Sequence, residues 1–205
     1  YYSLGAYPVI FTYGSFGLEQ LKARSIKFLQ YVLIIYSITL GFFFMPLMLP
    51  VWKPDKLAAY YKSVHAERFG LLEWEDHENH PLPQDFADML GWKEMAGKMS
   101  KAYAMLDEEQ KSHTILFCDN YGQAGAVDYY RKDFNLPAPL SDNASYLNWI
   151  PDTKAYKLEN VVLLTDDHQE MSYPFIKECQ QALLVDSVTS PYAKERGSLI
   201  ILLKG

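Results

Sequence analysis

The sequence predicts an α/β protein, a three-layer sandwich with a largely parallel sheet, preceded by one or two transmembrane helices. Two observations lead to this prediction. After residue 53, short apolar runs alternate with helical patterns and glycine turns, which is typical of parallel α/β units. Before that point the chain carries only four charged residues, namely Glu19, Lys22, Arg24 and Lys27.

Residues 1–52 form the predicted membrane segment. Residues 28–52 contain no charge, and a helix of this length, about 37 Å, can cross a hydrocarbon core of about 30 Å. A buried core helix is the alternative. Residues 1–18 form a second uncharged stretch, predicted to be the end of another span. It has neither an initiator Met nor a basic leader, so we expect the tail of a longer polytopic protein.

The loop between the two stretches predicts their orientation. Residues 19–27, EQLKARSIK, carry three basic side chains and one acidic one. Short basic loops favour the cytoplasmic side of a membrane. We therefore expect the second helix to lead outward, with residues 53–205 forming an extracytoplasmic α/β domain. In a Gram-negative cell this domain would lie in the periplasm and the helices in the inner membrane; in other cells it would lie outside the cell.

The charge and cysteine content of the soluble part exclude several classes of protein. Residues 53–205 carry 16 Lys and Arg against 24 Asp and Glu, and this acidic balance argues against nucleic-acid binding. The two cysteines, Cys118 and Cys179, are too few for a disulfide scaffold or a closed zinc site. They are expected to be buried thiols, with a disulfide as the alternative.

The hydrophobic periodicity orders the elements of this domain. A stripe of Trp92, Met95, Ala96, Met99, Tyr103 and Leu106 predicts one helix. The other predicted elements are a helix over 53–70, a polar loop over 71–92, strands at 114–118, 161–164, 182–185 and 199–203, a glycine turn and helix over 119–131, and a helix over 173–180.

Four segments of the domain carry a family resemblance. They are PLPQDFADMLGW (81–92), DNYGQAGAVDYY (119–130), SDNASYLNWIP (141–151) and SPYAKERGSLIIL (190–202). Together they resemble the C-terminal extracytoplasmic domain of bacterial polytopic glycosyltransferases of the dolichyl-phosphate-mannose protein mannosyltransferase class (glycosyltransferase family 39), relatives of the lipid A aminoarabinose transferase. The start of the chain, YYSLGAYPVIF, is similar to a late membrane helix of that family. The sequence departs from the pattern at Asp142-Asn143-Ala144, where relatives have Gly-His-Asn, and at Ile150, where they have Gly.

The resemblance implies a parent enzyme that moves a sugar from a polyprenyl-phosphate donor to an extracytoplasmic acceptor. The acidic catalytic residues of such enzymes lie in an early loop that has no counterpart here, so no catalytic residue is assigned and residues 1–205 alone are expected to be inactive. The implied partners are the lipid-linked sugar donor, an envelope acceptor and membrane lipid, with no nucleic acid. No cofactor is expected for this fragment, and a divalent metal is an option for the parent. The alternatives are a membrane-anchored, non-catalytic binding or scaffold module, and a soluble enzyme with its own α/β site.

The candidate ligand-binding residues are Asn120, Tyr121, Gly122, Gly125, Tyr146 and Trp149. The first four follow a predicted strand and open a helix, where a lipid phosphate or sugar hydroxyls could dock. The rings of Tyr121, Tyr146 and Trp149 offer flat faces that match a pyranose ring. The alternatives are a tight glycine turn and core packing.

Two further polar runs have both a functional and a structural interpretation. Residues 73–80 contain two imidazoles and four carboxylates, which could bind a divalent metal or form a solvated acidic loop. Asp166-Asp167-His168 follows a predicted strand, where it could supply paired carboxylates or form a structural turn. The structural interpretation is favoured for both runs.

Overall fold

The computed structural model describes residues 4–20, 24–151 and 158–205, and it divides into two compact units, Tyr1–Tyr60 and Tyr61–Gly205. The first unit contains helices α1 (Tyr7–Glu19) and α2 (Arg24–Met48), and α3 (Pro54–Ser63) begins in it. The predicted division between residues 52 and 53 stays a prediction. Residues 21–23, in the middle of the predicted basic loop, lie outside the described part of the chain.

Helix α2 is long and apolar enough to cross a membrane. The most apolar 18 residues of its stretch Phe28–Met48 have a mean hydropathy of 2.0, and none of them is buried, contrary to the buried-core alternative. The helix passes through Pro46 and ends at Met48, so its end at residue 52 was predicted too late. Pro50 explains the difference, because proline disfavours helical conformation in the residue before it.

The second unit is a mixed α/β domain. Its helices are α4 (Gln84–Ala87), α5 (Trp92–Tyr103), α6 (Glu108–Ser112), α7 (Tyr121–Tyr130) and α8 (Pro174–Glu178). Its strands are β1 (Thr114–Cys118), β2 (Pro139–Leu140), β3 (Asn160–Thr165), β4 (Gln181–Ser187) and β5 (Leu199–Lys204). Turns of 3-10 helix lie at Ala66–Phe69, Ala144–Trp149 and Glu170–Ser172.

The five strands form one sheet in the order β2-β1-β3-β5-β4. β1 pairs in parallel with β2 and β3, whereas β5 is antiparallel to both β3 and β4. The sheet is therefore mixed, not largely parallel as predicted. The reason is the link between β4 and β5, residues 188–198, which contains no crossover helix and so returns the chain as an antiparallel neighbour.

Side chains alternate between the two faces of the sheet. Val162, Leu164, Ile200 and Leu202 pack in the main core with the buried stripe of α5 and with α7. Leu163, Ile201 and Leu203 point the other way and pack with Ile176 of α8. The third layer of the predicted sandwich stays a prediction.

Three helical predictions differ from the structure in detail. The helix predicted over 53–70 is α3 followed by a separate turn, because His65 has a positive φ of 53° that ends the regular helix. The loop predicted over 71–92 contains the short helix α4 and an antiparallel bridge between Glu73 and Asn79. The helix predicted over 173–180 is shorter, spanning the five residues of α8.

Candidate functional site

The sheet places a crevice at the carboxyl ends of β1 and β3. β1 leads into α7, which packs on one face of the sheet, and β3 leads into residues 170–178, which pack on the other. Chains that leave adjacent parallel strands toward opposite faces open a crevice between them. Ligands of α/β proteins bind at this topological position.

Asp119 and Thr165 lie side by side where these two strands end. The Asp119 amide donates to the Leu164 carbonyl at 3.1 Å, and the Thr165 hydroxyl donates to the Asp119 carboxylate. Partial burial raises the pKa of Asp119, and repulsion from Asp166 and Asp142 raises it further, against the hydrogen bond from Thr165. The crevice therefore holds a carboxyl group that takes up a proton more readily than an exposed aspartate.

The first turn of α7 connects this edge to the segment before β5. Asn120 caps the helix, since its side chain accepts a hydrogen bond from the Gln123 amide at 2.8 Å. The Gln123 side-chain nitrogen donates to Glu195 at 2.6 Å, and the Ser198 hydroxyl donates to the same oxygen at 3.0 Å. Gln123 Oε1 is buried and accepts no hydrogen bond from the described residues. A water molecule or a ligand hydroxyl that donates a hydrogen bond to this oxygen would satisfy it.

The structure joins some of the predicted ligand-binding residues and separates others. A side chain on Gly125 would lie 3.8 Å from the Tyr146 hydroxyl, and the Tyr146 and Trp149 rings meet edge to face at 5.0 Å. Burial raises the pKa of Tyr146, and its ring packs against the main core. Trp149 and Tyr121 are 65% and 60% exposed. A side chain on Gly122 would approach the cap oxygen of α7 to 3.1 Å.

Two of the six predicted ligand-binding residues, Asn120 and Tyr146, have structural roles. The Asn120 side chain is occupied by the helix cap, and Tyr146 is partly used in core packing. Tyr121 and Trp149 keep exposed rings that could contact a ligand. The structure thus brings Gly125, Tyr146 and Trp149 into one group, with the Asn120 cap at the start of the same helix.

The acidic and histidine-rich run 73–80 forms pairs within itself. His80 contacts Asp76 at 2.8 Å and His77 contacts Glu73 at 3.4 Å. Across residues 4–20, 24–151 and 158–205, no three His, Cys, Asp or Glu side chains converge to hold a metal ion.

The run 166–168 forms a turn. Asp167 accepts hydrogen bonds from the Tyr173 hydroxyl at 2.6 Å and from the Gln169 amide at 2.7 Å, and these bonds lower the pKa of its carboxyl. Asp166 and His168 are exposed. The carboxylate of Asp167 is therefore occupied in stabilising the loop after β3.

Neither Cys118 nor Cys179 forms a disulfide, and the two thiols lie on opposite faces of the sheet. Cys118 lies in the main core, and Cys179 packs with Ile176 on the second face. Burial raises the pKa of Cys118 far above that of an ordinary thiol. The Cys118 thiol is therefore unreactive, and the Cys179 thiol is the more accessible of the two.

The four segments that carry the family resemblance contact one another in the folded domain. Lys194 pairs with Asp88 at 3.6 Å, which joins segment 190–202 to segment 81–92. The Gln123–Glu195 hydrogen bond joins segment 190–202 to segment 119–130, and Gly125 faces Tyr146 of segment 141–151. Residues far apart in the sequence are thus linked by a chain of contacts, and one of the linked segments, 119–130, begins at the carboxyl end of β1.

No family model matches the sequence, and neither a curated protein nor a solved structure matches it significantly. The family resemblance therefore stays a prediction that rests on the residues of the four segments.

Sequence reasoning missed Thr165 and Glu195. The sequence did contain a signal for Thr165, because it is the last residue of an apolar strand, and a hydroxyl at that position lies at the ligand-binding edge of the sheet. Glu195 had none, since its partner Gln123 is 72 residues away in the chain.

Proposed function

We propose that this chain is the C-terminal part of an integral membrane glycosyltransferase that moves a sugar from a polyprenyl-phosphate donor to an extracytoplasmic acceptor. The domain after residue 52 caps the site or helps to bind donor or acceptor. The observation that carries the proposal is that contacts link the four resembling segments, one of which begins at the edge of the sheet where α/β proteins bind ligands.

The apolar helix α2 supports the membrane part of the proposal. Its stretch Phe28–Met48 has the length and hydropathy of a membrane span. We place this helix in the inner membrane and residues 53–205 in the periplasm or outside the cell. Membrane lipid, the lipid-linked donor and an envelope acceptor are the proposed partners.

The domain organisation belongs to the same proposal. We propose a membrane segment over 1–52, an extracytoplasmic three-layer domain over 53–205, and catalysis by the parent enzyme and not by this fragment. Such a fragment uses no cofactor of its own, and any divalent metal would act in the parent.

A membrane-insertion assay tests the anchoring role of α2. Lys in place of Ile35 puts a charge near the middle of the helix, and a central Lys disfavours insertion by roughly 2.5–3.5 kcal/mol. We expect Ile35→Lys to lower the membrane-integrated fraction measured by alkaline extraction. Ile35→Leu is the matched control. Extraction of Ile35→Lys that equals the control would contradict the anchor.

Hydrogen–deuterium exchange tests the binding role. Residues 1–205 are placed in nanodiscs that contain either a polyprenyl-phosphate sugar or the same lipid phosphate without sugar. We expect slower exchange around 119–125 with the glycosylated lipid, and no sugar transfer to added acceptor. Equal exchange with both lipids would contradict a donor-binding role and would favour the non-catalytic scaffold module.

A further inference from the structure

A cleft lies between the turn at 74–82 and the turn at 191–196. Its volume is about 400 Å³, within the range of small-molecule sites. Seven of its nine lining residues belong to segments 81–92 and 190–202, while the predicted ligand-binding residues belong to neither. The lining includes Trp74, His80, Tyr192, Lys194 and Arg196.

The first wall is held by hydrogen bonds that are independent of any ligand. The Trp74 amide donates to the Glu78 carbonyl at 3.1 Å, and the Trp74 indole N–H donates to the Leu82 carbonyl at 2.8 Å. The His80 ring stacks on Trp74 with centroids 3.6 Å apart, and Asp76 contacts the His80 ring nitrogen at 2.8 Å. The wall is therefore a fixed pair of stacked rings, which limits the ordering cost of binding.

The second wall is held by its backbone and by ion pairs. The Lys194 amide donates to the Ala87 carbonyl at 3.2 Å, and its ammonium lies 3.6 Å from both Glu75 and Asp88. Tyr192 has a φ of 63°, in the left-handed region that tyrosine rarely adopts. Backbone strain of this kind persists where the surroundings impose it, and it clusters at ligand sites.

Arg196 adds hydrogen-bond donors at this wall. Its side chain is exposed, and no carboxylate among the described residues lies within ion-pair distance of it. The guanidinium presents five N–H donors in one plane. Glu75 and Asp88 pair with Lys194 alone and do not belong to the cleft lining, so Arg196 is the cation of the lining with no carboxylate partner among the described residues.

This lining favours a neutral ligand that has both apolar faces and many hydroxyls. The Lys194 ammonium is already paired with Glu75 and Asp88, which weakens its attraction for an anion. A purely apolar ligand would leave the Arg196 donors without partners. We propose that the cleft binds one pyranose unit of a carbohydrate, with its ring against the aromatic side chains and its hydroxyls toward Lys194 and Arg196. The assignment deepens the proposed function and rests on it for the source of the sugar, which is either the lipid-linked donor or an acceptor glycan.

Fluorine NMR can read both candidate sites at once. The chain has four tryptophans, at positions 52, 74, 92 and 149, so 5-fluorotryptophan gives one resonance for each. Residues 1–205 in nanodiscs are titrated with the methyl pyranosides of mannose, glucose and galactose, and with mannitol as the open-chain control. We expect a saturable shift of the Trp74 resonance with at least one pyranoside, none with mannitol, and no matching shift of Trp149.

Two variants test the walls separately. Asn tolerates a positive φ, so Tyr192→Asn removes the ring without adding backbone strain. Arg196→Gln removes the positive charge and reduces the five N–H donors to the two of an amide. Each is expected to weaken pyranoside binding by roughly 3- to 10-fold. Tyr129→Asn, at an exposed tyrosine of α7 that belongs neither to the cleft lining nor to the predicted ligand-binding residues, is the matched control and should bind as the unchanged chain does. If Tyr192→Asn fails to fold by near-ultraviolet circular dichroism, Arg196→Gln decides.

The outcomes separate the cleft from the proposed function. Absence of a saturable Trp74 shift with all three pyranosides, or unchanged affinity in both cleft variants, overturns the assignment. In nanodiscs with the polyprenyl-phosphate sugar, a Trp74 shift identifies the donor as the source of the pyranose. A shift with soluble pyranosides alone identifies an acceptor glycan. Slower exchange around 119–125 with the glycosylated lipid, together with an unshifted Trp74 resonance, would support the proposed function and overturn the assignment of the cleft as a pyranose site.

Discussion

Acid sensitivity of the domain is predicted to depend on Glu94 in α5. Its carboxylate accepts hydrogen bonds from the Thr189 amide at 2.8 Å and from the Thr189 hydroxyl at 2.6 Å. It also pairs with Lys98 at 2.8 Å, and Lys98 contacts Asp186 at 3.1 Å. These contacts join α5 to the end of β4. Replacing Glu94 by Gln removes the charge and keeps the shape of the side chain.

The expected loss follows from the pKa of Glu94. Burial raises this pKa, but the hydrogen bonds from Lys98 and Thr189 and the Lys98 charge outweigh it, and they lower the pKa from 4.5 to about 2. That difference corresponds to about 3 kcal/mol of folding free energy. The Glu94 side chain is 22% exposed, so solvent screening lowers the expectation to about 2 kcal/mol at neutral pH.

The pH dependence has a definite sign. Because the folded pKa is lowered, the contribution of Glu94 is complete above about pH 4.5 and is lost as the pH falls through about 2. Glu94→Gln should therefore be less stable than the unchanged chain at neutral pH, and the two stabilities should converge over that window.

Urea denaturation of the full chain in detergent micelles, followed by near-ultraviolet circular dichroism, measures both effects. Glu108→Gln is the control, because Glu108 pairs with Lys111 at 2.7 Å while its side chain is 91% exposed. We expect no measurable change for that variant. A stability difference for Glu94→Gln that stays constant from neutral pH to about pH 2, or is zero at neutral pH, would refute the argument.

Three further predictions concern the backbone and the thiols. Gly91→Ala should lower the free energy of unfolding by roughly 1–2 kcal/mol, and by more than Gly70→Ala. Both glycines have positive φ, but only at Gly91 would an added Cβ press on a neighbouring side chain, at 3.2 Å. Equal losses of unfolding free energy for the two variants in thermal denaturation would count against this prediction. Asn120→Ala should cost about 1 kcal/mol through the lost cap, with Asn120→Asp as the conservative control in the same assay. Cys179 should react with maleimide under native conditions much faster than the buried Cys118, and mass spectrometry showing equal labelling would contradict the core placement of Cys118.

Local patterns in the sequence were enough for most elements of the domain. The apolar runs at 114–118 and 161–164 became β1 and β3, because a buried strand needs a short continuous apolar run. The stripe from Trp92 became α5, since its spacing places Met95 and Met99 on one buried face. The helix cap at Asn120 could also be inferred from the sequence, because an asparagine between a strand and a helix is typical of an N-cap.

Features that depend on non-local pairing were missed. β2 is two residues long, and its first residue is a proline, so its assignment comes only from its pairing with β1. The antiparallel direction of β5 was also missed, because its apolar run has the same composition as a parallel strand.

The sequence by itself determined an apolar helix of membrane-spanning length, an α/β order of elements and the positions of the main buried strands, because these follow from local periodicity and length. The tertiary structure alone decided which distant side chains meet. It paired Gln123 with Glu195 and Lys194 with Asp88, and it placed Trp74 and Tyr192 in the lining of one cleft. Such contacts depend on strand order and on the paths of turns, which are set by how the whole chain buries its apolar surface and not by any single segment.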